Sequence, residues 1–150
     1  TKVKRHKTCI YPLLFHKINW GDDMKKVNFL MFPIGALGYG LIEILWRGHT
    51  HPSMLTAGGI CFMFFGKIGT KLKNASLFLK AVIGSGFITF IELVFGIIFN
   101  IILKKDVWDY SKLPFNFKGQ ICLLYSTFWG ILSMAFIPIA TKMNNRLQNH

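Results

Sequence analysis

Four apolar runs of near-bilayer length fill most of this chain, and they constrain its fold more than any other feature. A helical run of about 18 or more residues with few charges can cross the hydrocarbon core, which needs about 20. The runs are read as span 1 (27–46), span 2 (53–68), span 3 (81–103, with helix from as early as Ala75) and span 4 (119–140). Hydrophobic residues make up 52% of the 150 positions, and they cluster instead of recurring at amphipathic spacing. Little is left for a soluble core. The expected fold is all-α: an integral membrane protein with about four transmembrane helices and a short interfacial segment between spans 3 and 4.

The formal charge of +12 would suggest nucleic acid in a soluble protein. Here Lys and Arg fall almost entirely between and outside the spans. They read as basic flanks that orient helices and meet anionic headgroups, and no nucleic-acid partner is expected. The three cysteines, Cys9, Cys61 and Cys122, show no metal-ligand spacing. His49 and His51 lack a third ligand nearby, so a turn at the membrane surface is the simpler reading. No metal and no cofactor is expected.

The ends are polar. Residues 1–26 form a basic N-terminal segment, 27–140 a transmembrane domain and 141–150 a polar tail. Met24-Lys25-Lys26 before an apolar run looks like the start of a membrane protein. The expectation is that translation begins at Met24 and that residues 1–23 come from upstream sequence. Four spans put both termini on one side. That side carries 13 of the 18 Lys and Arg residues, or 8 against 5 without residues 1–23. The positive-inside rule then makes it cytoplasmic.

Glu43 and Glu92 are the only glutamates, and both lie in spans. An ionised side chain at mid-bilayer costs about 2.5 to 3.5 kcal/mol on insertion scales. Glu92 must be protonated, paired or facing a wet cavity. It serves as an interhelical hydrogen-bonding group or as part of a substrate or proton pathway. Arg47 follows Glu43 by four residues, so the two can pair on one helix face. Glycines in spans 1 and 2, with Ala36 and Gly40 at small-xxx-small spacing, suggest close helix approach. Gly58-Gly59 marks either a broken helix at a site or a tightly packed one, and packing is preferred.

After Lys104 and Lys105 comes a stretch dense in rings and hydrogen-bonding groups, Trp108 to Leu123. Trp108, Asp109, Tyr110, Asn116 and Gln120 are the candidates for a lid or recognition surface over the two glutamates. The minimum role is an interfacial anchor, since Trp and Tyr favour that level. Asp109 can cap a turn, and Pro114 can stop a helix.

Trp108-Asp109-Tyr110-Ser111, Pro114-Phe115-Asn116, Gly119-Gln120-Ile121-Cys122-Leu123 and Trp129-Gly130 resemble the signature of the ABC-transporter type IV permeases, the CmpB-like membrane proteins of bacteria. Ile91-Glu92-Leu93-Val94-Phe95-Gly96 is similar to that family's glutamate segment, and Leu41-Ile42-Glu43 to its early glutamate. The resemblance runs from about residue 27 to 140 and is densest from 91 to 130. The link His49–Pro52 departs from the family's pattern. Membership implies a transport component in the bacterial cell membrane, of unnamed substrate. Four spans are few for a lone translocation path, so a homo-oligomer or another membrane subunit is expected. No G-x-x-x-x-G-K-[ST] loop occurs, so ATP hydrolysis would come from a separate ATPase subunit. Two alternatives stand beside this: a non-catalytic interaction or structural protein, and a membrane-embedded enzyme on a lipid-linked substrate. For the enzyme, no H-E-x-x-H or G-x-S-x-G motif is present.

Overall fold

Helix α1 (Trp20–Arg47), α2 (Pro52–Lys71), α3 (Leu77–Phe95) and α4 (Leu123–Gln148) form an all-α bundle in the computed structural model, which describes residues 20–148. Residues 1–19, most of the basic N-terminal segment, lie outside the described residues. All four helices are long and apolar enough to cross a membrane, the apolar part of α1 being Phe29–Arg47. A bilayer permits this because a helix satisfies its own backbone groups. α1 and α4 carry Pro33 and Pro138 within continuous helix. α4 also continues through Thr141 as far as Gln148.

α2 is the most buried helix, packed against α1 on one side and α4 on another, with α3 lying mainly on α4. The α1–α2 seam is where the glycines act. A Cβ on Gly35 would run into Phe62 and the Gly58 carbonyl, and one on Gly58 would meet Tyr39 and the Gly35 carbonyl. The seam therefore rests on Gly35, Gly58 and Gly59, with Gly40 against Leu55, while Ala36 is only half-buried. α2 passes through Gly58-Gly59 without a break. Small residues let backbones approach, which gives dispersion contacts that lipid cannot supply.

Below this seam an apolar core joins Val27 and Met31 of α1, Phe62, Phe65 and Ile68 of α2, and Ile137 and Ala140 of α4. Asn144 of α4 donates to Thr70 of α2 at 2.9 Å near the same end. α3 joins α4 through small and hydroxyl residues: Gly84 against Ser133, Ser85 donating to the Ser126 carbonyl, and Thr89 2.9 Å from the Ser126 hydroxyl.

After Phe95 the helix widens. Residues Gly96–Ile102 form a π-helix, and Leu103 N–H reaches the Ile98 carbonyl five residues back. The wider turn re-aims every side chain beyond it. Strands β1 (Asn116–Phe117) and β2 (Ile121–Cys122) then pair as a small antiparallel hairpin, Asn116 opposite Cys122. Residues 119–122, expected to open span 4, belong instead to this hairpin and its turn. Gly119 has φ +67°, a conformation that glycine adopts without steric cost, and a Cβ there would also meet Asp109.

Candidate functional site

The segment between α3 and α4 folds back over the bundle and is bolted down from three sides. Asn100, on the π-helix, is the first bolt. Its amide donates to the Trp108 carbonyl at 2.8 Å and to Gln120 Oε1 at 2.9 Å, and its oxygen accepts from Val107 N–H at 2.7 Å. The Trp108 indole donates to the Gln120 carbonyl at 2.9 Å, and the Gln120 amide donates to the Lys118 carbonyl at 2.9 Å. Gln120 fits against Gly96, where a Cβ would collide with it. Buried polar groups need partners, and here each group's partner is another part of the same segment or the helix below it.

Arg47 is the second bolt. It donates to Glu43 Oε1 at 2.8 Å and to the Val107 carbonyl at 2.6 Å, so the end of α1 holds the start of the stretch. Thr50 donates to the other Glu43 oxygen. The i, i+4 pair expected from sequence is present, and Glu43 is buried at 5% exposure. A paired, hydrogen-bonded carboxylate is the form in which burial is tolerated.

Glu92 is the third. It is 3% exposed; the Tyr110 hydroxyl donates to Oε1 at 3.0 Å and the Trp129 indole to Oε2 at 2.7 Å. One carboxylate thus ties α3 to α4 and to the interfacial stretch. Tyr110 stacks on Tyr125 with centroids 4.5 Å apart. Burial, followed by the charge of Glu92, holds the Tyr110 phenol well above its ordinary pKa, so it stays a proton donor to that carboxylate.

Two cavities lie beneath the stretch. The outer one, of about 560 Å³, has Glu43, Arg47, Trp108, Tyr110, Tyr125 and Trp129 in its walls. The inner one, of about 200 Å³, takes in Glu92, Cys61 and the glycine seam. Tyr39, Ile42, Met54, Trp129 and Leu132 border both, with Tyr39 and Trp129 rings 6.0 Å apart. Each cavity therefore has its own glutamate, and the two share a lining in which Tyr39 and Trp129 are the aromatic members.

The other candidates divide. Trp108 is buried, packed with Met54 and Val107, and Tyr110 points inward. Asp109 is exposed and accepts from Ser111 N–H and Ser111 Oγ, both at 2.8 Å. Those bonds, with Lys112 adding less, hold its pKa below the ordinary value. Asn116 donates to the Leu113 carbonyl at 2.7 Å and accepts from Gly119 N–H at 3.1 Å. Both shape the loop and make no hydrogen bond to either glutamate. His51 caps α2, accepting from Ser53 N–H at 3.2 Å. Among the described residues no group of three or more His, Cys, Asp or Glu is placed to hold a metal ion.

Nothing in the sequence singles out Asn100, Thr50 or Tyr39. Asn100 is uncharged at the end of an apolar run, and its direction depends on the π-helix. Trp129 stood in the family signature, but nothing in the sequence pointed its indole at Glu92.

A family model described as "Putative ABC-transporter type IV" matches residues 29–150. The chain belongs to this family. The match spans all four membrane helices and the interfacial stretch, so the bolts described above lie within the ABC-transporter type IV module. No curated protein and no solved structure matches the chain. An ABC-transporter-type membrane protein is the level of function that membership supports.

Proposed function

We propose that this protein is a permease-like transport subunit of the bacterial cell membrane, active as a homo-oligomer or with another membrane subunit, and driven by a separate ATPase. Glu43, Arg47 and Glu92 line its substrate or proton pathway. Trp108, Tyr110 and Gln120 form the lid, whose loop geometry Asp109 and Asn116 set. The observation that carries this reading is that Tyr110 of the lid bonds Glu92 directly, while Arg47 bridges Glu43 to the Val107 carbonyl at the lid's edge. Movement of the lid must break hydrogen bonds to the pathway groups, so access and carboxylate state are coupled. The termini are cytoplasmic in this reading, because their side holds 13 of the 18 Lys and Arg residues.

Copurification tests it. Detergent extracts of native membranes are expected to yield the chain with a nucleotide-hydrolysing subunit in fixed ratio. A homodimer free of any ATPase across several mild detergents counts against the transport reading.

A second reading, a non-catalytic membrane scaffold, is favoured by the completeness with which Asn100, Trp108 and Gln120 satisfy one another. Glu92→Gln separates the two. It keeps the shape and removes the charge. Normal accumulation with lost transport-dependent growth supports the pathway, and unchanged growth supports the scaffold.

A further inference from the structure

A third cavity lies at the opposite end of the bundle from the interfacial stretch. It is an open hollow of about 450 Å³ between the start of α3 and the last turns of α4. Lys80 of α3 and Lys142 and Arg146 of α4 converge on it, with Thr141 and Asn145 as further hydrogen-bonding side chains. No Asp or Glu lines it among the described residues. Its floor is apolar, formed in part by Ile137 and Pro138. The positive end of α3's dipole, beside Leu77, adds to the same sign.

Three cations around one concavity suit a phosphate group, because Arg and Lys donate to its oxygens without an acceptor of their own. The surroundings indicate how that phosphate arrives. Leu77, in the cavity wall, is 40% exposed and its neighbour Phe78 is 70% exposed, where a bilayer's acyl chains would lie. Basic hollows between helix ends on the positively charged side of a membrane protein suit anionic headgroups. We propose that Lys80, Lys142 and Arg146 form a binding site for the phosphate of an anionic phospholipid, seated between α3 and α4. The site is separate from the glutamate cavities and does not rest on the transport reading.

The test measures lipid retention by the full chain in mixed micelles of phosphatidylglycerol and phosphatidylcholine, counted by native mass spectrometry. One phosphatidylglycerol is expected to be retained in preference to phosphatidylcholine. The double variant Lys142→Ala/Arg146→Ala is expected to raise the half-saturating phosphatidylglycerol concentration about 30-fold, the effect of two interfacial cations. Lys104→Ala/Lys105→Ala, at the other end, is expected to leave it unchanged. Equal retention of the two lipids overturns the proposal, and so does equal weakening by the Lys104/Lys105 variant. Competition by millimolar inorganic phosphate would make this a soluble-anion site and overturn the assignment to lipid.

Discussion

The two ends of this bundle are held by different physics. At the seam and below it, α1, α2 and α4 meet through Gly35, Gly58, Met31, Phe65 and Ile137, and contact is almost wholly a matter of volume. At the interfacial end, Asn100, Arg47 and Glu92 make directed hydrogen bonds to a stretch with little regular structure. Packing inside a membrane tolerates polar changes poorly and volume changes worse, because lipid offers neither water nor a hydrophobic driving force. A directed network is different. It fails one bond at a time.

The largest effect is expected where volume decides. Gly35→Val puts side-chain atoms into Phe62 and the Gly58 carbonyl. Overpacking ordinarily costs about 1 to 3 kcal/mol, and the cost is larger here because the clash includes backbone. Folded protein should fall severely by fluorescence-detected size exclusion. A normal, monodisperse peak would mean the seam is looser than described.

Next comes Asn100→Ala, which leaves Val107 N–H and the Trp108 carbonyl without their partner. A loss of about 3 kcal/mol is expected from two such groups. Hydrogen exchange should rise sharply at Val107 and stay unchanged at Phe65. Uniform change along the chain would erase the distinction between the two ends.

Glu92→Gln is expected to cost less, about 1 kcal/mol in thermal stability, in line with single interhelical hydrogen bonds in membranes. The amide keeps one acceptor oxygen and turns an NH2 toward either Tyr110 or Trp129, both donors. Tyr110→Phe should move stability less still, since it removes one bond and leaves the Trp129 bond in place. Equal effects would mean that the glutamine keeps its acceptor oxygen on Trp129 and loses only the Tyr110 bond.

The smallest effect concerns Asp109, which is fully exposed. Its folded pKa lies below the ordinary aspartate value of 3.8. The carboxylate's contribution to the turn is therefore present above that value and lost as pH falls through the lower folded pKa. Ser111 amide exchange, corrected for its intrinsic pH dependence, should rise only in that acidic window. Asp109→Asn, which keeps an acceptor, should remove the pH dependence without altering the bundle.

Hydropathy made the bundle readable because membrane insertion is decided by local composition. Glu92 stood out for the same reason, as a charge where charge is costly. The Glu43–Arg47 pair followed from helical spacing. The stretch from Trp108 to Gln120 was readable as important but not as an arrangement. Its neighbours alternate direction: Trp108 and Tyr110 turn in, Asp109 turns out. That alternation depends on the π-helix and on the hydrogen bonds of Asn100, which have no local pattern in sequence. Gln120 was similar, expected at the head of a span and found in a hairpin turn against Gly96.

By itself, then, the order of residues determined a four-helix membrane protein, its two costly carboxylates and its family. These depend on transfer free energies and on spacing along one helix, which are additive and short-range. Only the tertiary structure decided that Tyr110 and Trp129 hold Glu92, that Arg47 reaches Val107, and that Tyr39 and Trp129 line both glutamate cavities. Those contacts join residues from different helices, and their geometry comes from how closely the glycine seam lets those helices approach.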